Sequence, residues 1–202
     1  MPLKAVFFDV GETLVDEERY WREVAAEAGV DAHVVLAALG VTIALGEEHT
    51  ELWSHLGLPR PAAPVVPYED DDLYPDAVPC LETLREKGYT IGVAGNQDAL
   101  LDAWLHESRL PIDVAGSSAS WGVRKPERAF FERMISEAGC RPEELAYVGD
   151  RVDNDVLPAA AAGLIAVHVR RGPWGRLQET PPEAALAVDD LASLPQALAS
   201  LA

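Results

Sequence analysis

The run Phe7-Phe8-Asp9-Val10-Gly11-Glu12-Thr13-Leu14 decides how the rest of the chain is read. Ahead of it, Leu3, Ala5, Val6, Phe7 and Phe8 form a short apolar stretch broken only by Lys4. A run of that length suits a strand buried on both faces of a parallel sheet. It ends in a carboxylate, a glycine and a hydroxyl residue. In open α/β sheets, ligands bind in the crevice beyond the carboxyl ends of the strands. A carboxylate there is costly to desolvate, so it is paired, bound to metal or engaged in chemistry. Asp9 alone fits an ordinary strand-end turn equally well. A second acidic strand end far along the chain, Gly149-Asp150, is what gives it weight.

Working outward, the pattern turns helical after Leu14. Residues 17–28 read as a helix capped by Asp16, with Tyr20, Val24 and Ala28 inward and Gly29 as the stop. Further helical segments are expected over 31–45 and 47–56. Prolines 59, 61, 64 and 67 then break regularity, and the acidic cluster 69–72 reads as a solvated loop. From residue 76 helices and strands alternate. Helices are expected over 76–87 and 99–107, from Pro126 onward, in the alanine-rich segment before Gly163, and over 191–201. Strands are expected over 89–94, 112–115, 145–148, 164–169 and 185–188. Such alternation means an α/β fold with a doubly wound parallel sheet.

Composition narrows the function. Of 202 residues, 49% are hydrophobic, enough for one good-sized core and a small attached subdomain. The net charge of -18, from 16 basic and 34 acidic residues, repels phosphate backbones, so no nucleic-acid partner is expected. An anionic substrate needs a local cation to overcome that field. Cys80 and Cys140 stand alone, as small core residues or free thiols. No apolar run approaches the ~20 residues that span a bilayer, and the first one ends at Asp9, unlike a signal peptide. No membrane partner and a cytoplasmic location are therefore expected. The sequence gives no reading of oligomeric state.

The chemistry-bearing loops follow strands, and a right-handed parallel sheet brings such loops to one edge. Asp9 and Asp150 are therefore expected to share a hard cation, with Lys125 nearby at a helix start. Mg²⁺ is commonly held by one or two carboxylates plus waters and substrate phosphate. A cation and a lysine together neutralise a phosphate and its transition state.

These segments, in their order, resemble the haloacid dehalogenase (HAD) superfamily, most of whose members are phosphatases. The family's first motif, a strand ending Asp-x-Asp-x-Thr-Leu, is matched by Asp9-Val10-Gly11-Glu12-Thr13-Leu14. The third is a lysine, here within Gly122-Val123-Arg124-Lys125-Pro126. The fourth, Gly-Asp followed by Asn-Asp, is matched by Gly149-Asp150-Arg151-Val152-Asp153-Asn154-Asp155. Any one motif is weak; the three in order are specific. The resemblance implies a HAD-type core of residues 1–15 and 75–202 with a helical cap over 16–74. It implies that Asp9 attacks phosphorus and forms an aspartyl phosphate. It implies Mg²⁺ held by Asp9, the Gly11 carbonyl and Asp150, with Asp155 ligating directly or through water. Lys125 would brace Asp9 and the phosphate, and Thr13 would tie down the motif loop. Thr13, Gly95, Asn96 and Lys125 form the expected phosphate-binding set, for a small phosphorylated substrate.

Two positions depart from the family's pattern. Gly11 stands where the phosphatases place a second aspartate, which protonates the leaving group and then activates water. Gly95 stands where the second motif has a hydroxyl residue, so only main-chain N–H groups remain there to meet phosphate. Glu12 is adjacent to the gap, but a neighbouring residue usually points elsewhere, and a solvent-facing loop acid is the expectation. Asp153 suits a helix N-cap better than a ligand. Three functions stay open at this point: a Mg²⁺-dependent phosphatase slowed by Gly11, a metal-independent 2-haloacid dehalogenase, and a non-catalytic or regulatory binding protein. Asp150 argues against the dehalogenase, because the dehalogenases resembling this fold carry a neutral residue there. In the expected cap, Arg19 and Arg22 offer either a cation to the substrate or surface salt bridges to Glu18 or Glu23.

Overall fold

A computed structural model describes residues 2–201 and places six parallel strands in the order β3-β2-β1-β4-β5-β6. They are β1 (Ala5–Phe8), β2 (Thr90–Gly95), β3 (Val114–Ser117), β4 (Leu145–Gly149), β5 (Ile165–Val169) and β6 (Leu186–Val188). β1 lies centrally because its two neighbours cover it on both edges: Phe8 pairs with Val93 on one side and Val148 on the other. All four of its residues are buried. Side chains alternate across the sheet. Val6 and Phe8 join one apolar cluster, Ala5 and Phe7 the other.

The helices complete both layers. In chain order they are α1 (Glu18–Ala28), α2 (Ala32–Leu45), α3 (Leu52–Leu56), α4 (Ala77–Glu86), α5 (Ala99–Glu107), α6 (Ser118–Trp121), α7 (Arg128–Ala138), α8 (Leu157–Ala161), α9 (Gly172–Leu177) and α10 (Leu194–Ala199). Helices α4, α5 and α10 cover the Val6 and Phe8 face through Leu81, Leu84, Leu101, Leu194 and Leu198. Phe130, Phe131 and Met134 of α7, with Ala159 of α8, cover the other face. A third cluster belongs to α1–α3: Trp21, Val24, Val35, Leu39, Leu52 and Trp53 pack together, and Trp174 of α9 inserts among them.

Several expectations shift. α1 buries Trp21, Val24 and Ala25, whereas Tyr20 and Ala28 only flank the cluster. The helix expected from Pro126 begins at Arg128, because Glu127 is extended (ψ 134°) and acts as its N-cap residue. β3 starts two residues later than the apolar run suggests; the Asp113 carboxylate ahead of it accepts the Ile91 N–H (2.9 Å). α6 and α9 are too short to leave a periodic signature, and α10 is shorter than the apolar pattern around it. Cys80 is buried in the core, while Cys140 is half-buried. The expected outer limits at residues 1 and 202 lie outside the described residues. No single described helix is long and apolar enough to cross a membrane.

Candidate active site

The central register delivers the chemistry. Asp9 follows β1, its N–H donating to the Val148 carbonyl (2.8 Å), so it emerges beside the end of β4 where Asp150 follows Gly149. Lys125 arrives from the loop before α7. Its ammonium lies 2.7 Å from Asp9 Oδ1 and 2.6 Å from Asp155 Oδ1. Asn96 explains why the lysine is held there. Its side-chain amide accepts the Lys125 N–H (2.7 Å) and donates to the Lys125 carbonyl (2.9 Å). The ammonium also sits 5.6 Å from the centre of the Tyr147 ring, within cation–π range.

Asp155 is reached through a π-helical turn, Val152–Val156, after β4. Its second oxygen accepts the Arg151 N–H (3.0 Å), so both of its oxygens are engaged. Asp150 differs: its Oδ2 is buried with no hydrogen-bond partner among the described residues. Asp9, Asp150 and Asp155 each bring a carboxylate oxygen within 4.8 Å of the others. Burial, reinforced by Asp155 and Asp9, holds the Asp150 carboxyl well above its ordinary range. Burial also raises Asp155, to about 6, against the opposing pull of Lys125. Burial alone would lower Lys125; Asp155 and Asp9 outweigh it and raise the ammonium. Three buried carboxyl groups around one lysine leave negative charge uncompensated. An orphaned carboxylate oxygen in such a cluster fits a hard divalent cation.

The cluster opens into a cavity of about 820 Å³, lined among others by Asp9, Gly11, Glu17, Asn96, Lys125 and Asp150. Thr13 and Gly95 are buried and do not line it. The Thr13 hydroxyl has no partner among the described residues; the Thr13 carbonyl is gripped instead by Arg171, which also binds Asp76 (2.7 Å) and stacks 3.9 Å over Tyr74. Arg171 thus anchors the motif loop, a task expected of Thr13. Gly95 passes so close to the nucleophile that a Cβ there would stand 2.7 Å from Asp9 Oδ1.

Glu12 is not the solvent-facing acid expected from its loop. It is buried, adopts φ 52°, and receives the Tyr74 hydroxyl (2.5 Å). Burial raises its pKa in spite of that hydrogen bond. Asp153 is neither a helix N-cap nor free to ligate, since Arg151 (2.5 Å) and Gln178 (3.0 Å) take its oxygens. The acidic cluster of residues 69–72 is partly tied down: Arg19 pairs with Asp72 and with Glu69 (3.5 Å). Arg22 pairs with Glu18 one turn away on α1.

Sequence reasoning missed Glu17, read only as the start of a helix. A Cβ on Gly11 would collide with its carboxyl group, Cδ lying 2.7 Å away. Burial first, then the charges of Glu12 and Asp9, push Glu17 up to about 8. The acidic run 16–18 just beyond the motif was the available signal. His168 was missed too. Its Nε2 donates to the Asp150 carbonyl (3.1 Å), and burial lowers its pKa. Trp174 was unplaced; it stacks with Arg151 (4.9 Å) and packs on Trp21 (6.5 Å).

Comparison with known proteins agrees with this geometry. The family model described as haloacid dehalogenase-like hydrolase matches residues 3–163. A glyceraldehyde 3-phosphate phosphatase of Methanopyrus kandleri is 33% identical, covering 85% of this chain and 86% of its own. Among solved structures, a HAD phosphatase from Thermococcus onnurineus superposes with a TM-score of 0.67 at 24% identity, over 97% of this chain and 98% of its own. An L-2-haloacid dehalogenase from Xanthobacter autotrophicus gives 0.69 at 19% identity, over 99% of this chain and 100% of its own. At those identities the two structures speak for the fold alone. A strand-end aspartate braced by a buried lysine, two further carboxyl groups beside it, and a family match over most of the sequence lead to one conclusion: the chain belongs to the haloacid dehalogenase-like hydrolases.

Proposed function

We propose that this hydrolase is a Mg²⁺-dependent phosphatase of small phosphorylated metabolites, working through a phosphorylated aspartate. The observation that carries the reading is the Lys125 ammonium, 2.7 Å from Asp9 Oδ1, in a cluster where Asp9, Asp150 and Asp155 bring carboxylate oxygens within 4.8 Å of one another and a buried Asp150 oxygen has no partner among the described residues. Asp9 is the nucleophile: its carboxylate attacks phosphorus as the ester oxygen departs. Lys125 orients that carboxylate and offsets charge on the transferring phosphoryl group. Asn96 fixes the lysine main chain. Mg²⁺ would be held by Asp9 and Asp150, with Asp155 bracing Lys125 or ligating through water. When bound, it supplies charge neutralisation for the phosphoryl oxygens. The glyceraldehyde 3-phosphate phosphatase named above, matched over most of both chains, favours a short-chain phosphomonoester. The domain division that goes with this reading is a core of residues 1–15 and 75–202 and a cap of 16–74.

The test is phosphate release from p-nitrophenyl phosphate and a panel of triose, sugar and nucleoside phosphates, with Mg²⁺ and with EDTA. Metal-dependent release that disappears in Asp9→Asn is the expected result. No release across the panel, or halide release from 2-haloacids insensitive to EDTA, would overturn it.

A further inference from the structure

Position 11 has no side chain, yet the space above it is not empty. The carboxyl group of Glu17 fills the volume that a residue-11 side chain would enter; a Cβ on Gly11 would meet its Cδ at 2.7 Å, with Oε1 nearer still. The start of α1 puts it there. The Glu18 N–H is capped by Asp16 Oδ1 (2.8 Å), not by Glu17, which leaves the Glu17 side chain free of capping duty. The Glu12 main-chain N–H donates to the Val15 carbonyl (2.7 Å), closing the motif loop just ahead of the helix start. Glu12 is spoken for: Tyr74 donates to it at 2.5 Å, and its Cβ would lie 2.6 Å from a Cβ on Gly172. Glu17 shares the cavity wall with Asp9, Lys125 and Asp150.

We propose that Glu17 is the proton-transfer residue of this hydrolase, supplied from the first helix after the motif instead of from the motif itself. The proposal rests on the phosphatase reading above. In the first step Asp9 Oδ forms a bond to phosphorus and the ester P–O bond breaks. The departing oxygen takes the proton of the Glu17 carboxylic acid, giving the alcohol and a carboxylate. In the second step a water oxygen attacks phosphorus while that carboxylate accepts one of its protons. The bond to Asp9 breaks, inorganic phosphate leaves, and both side chains return to their starting states. The net change is hydrolysis of one phosphomonoester.

Leaving-group dependence separates this role from a structural one. p-Nitrophenolate departs without a donated proton; an alkoxide does not. In Glu17→Gln, turnover of the best alkyl phosphate from the panel should fall about 10²-fold or more. With p-nitrophenyl phosphate the same variant should release a burst of one nitrophenolate per enzyme and then stall, because water activation is lost while Asp9 still attacks. A rate within twofold of wild type on the alkyl ester, with no burst, would overturn the proposal. If Glu17→Gln melts well below the wild type, the pair Glu17→Ala and Gly11→Asp/Glu17→Ala decides. A roughly tenfold or greater recovery in the double variant supports the role of that space, and equal rates overturn it. A wild-type protein inactive on the whole panel would instead remove the phosphatase reading, a result distinct from an active wild type indifferent to residue 17.

Discussion

The sheet edge and the α1–α3 helices handle charge in opposite ways. At the sheet edge, Asp9, Lys125, Asp150 and Asp155 are all buried, and each depends on the others or on a cation for compensation. Across α1–α3 the arginines meet their acids in half-exposed pairs, Arg19 with Asp72 and Arg22 with Glu18. Exposed pairs contribute little, whereas breaking a buried one strands a charge in low dielectric. The contrast teaches where this molecule spends stability on chemistry. Its buried ionic cluster is weak as cement and strong as a pre-set electrostatic environment. The outer helices hold together through Trp21, Leu39, Leu52 and Trp53 instead.

Substitutions at the edge should therefore damage turnover far more than those on the helices, and in a set order. Asp9→Asn should lower phosphate release by at least about 10³-fold while the thermal melt stays within a few degrees of wild type. An active Asp9→Asn would break the contrast outright. Lys125→Met should destabilise the metal-free protein by roughly 3–5 kcal/mol, read by urea titration in EDTA, because two buried carboxyl groups lose their cation. Adding Asp155→Asn to it should recover part of that loss. Mg²⁺ should raise the melting temperature, by about 2.7 kcal/mol of stabilisation at a hundredfold excess over Kd, and Asp150→Asn should abolish the shift. Asn96→Ala leaves the Lys125 main chain without its two hydrogen bonds and should cost about 1–3 kcal/mol, with kcat falling more than KM rises.

The smallest effect belongs to the helices. Arg19→Met should cost at most about 1 kcal/mol, since the pair is part-exposed. Its pH dependence has a definite sign. The Arg19 hydrogen bond holds Asp72 below its ordinary 3.8, so the contribution is present above that value and fades as pH falls through the depressed one. Stability curves of wild type and Arg19→Met should stay apart above pH 3.8 and converge as pH falls through the lowered Asp72 value. A larger penalty for Arg19→Met than for Lys125→Met would invert the comparison.

What was legible in the sequence follows the same division. Strand ends are punctuated by Asp9 and Gly149-Asp150, and a parallel sheet with right-handed crossovers leaves them one edge to meet on. Hence Asp9 and Asp150 could be placed from the strand pattern, while Asp155 and the role of Lys125 came from the family's motif order. Glu17 could not. Its role depends on the direction in which α1 leaves the motif loop, set by the Asp16 cap and the Glu12 conformation, and neither angle is written in a hydrophobic period. Arg171 and His168 act on main-chain carbonyls of residues 158 and 18 positions away, contacts that carry no spacing signature. Trp174 sits in a helix of six residues, too brief for periodicity to reveal which neighbours it buries against.

That tryptophan has a consequence for how the outer helices are held to the rest of the molecule. It belongs to the stretch after β5, yet it is buried among side chains of α1–α3 while its indole also carries the Arg151 guanidinium. Any swing of those helices away from the strands must first draw the ring out and wet it. Parting α1–α3 from α9 thus costs mainly apolar burial: raising salt should leave that contact intact, and a little urea should loosen it before the strands give way.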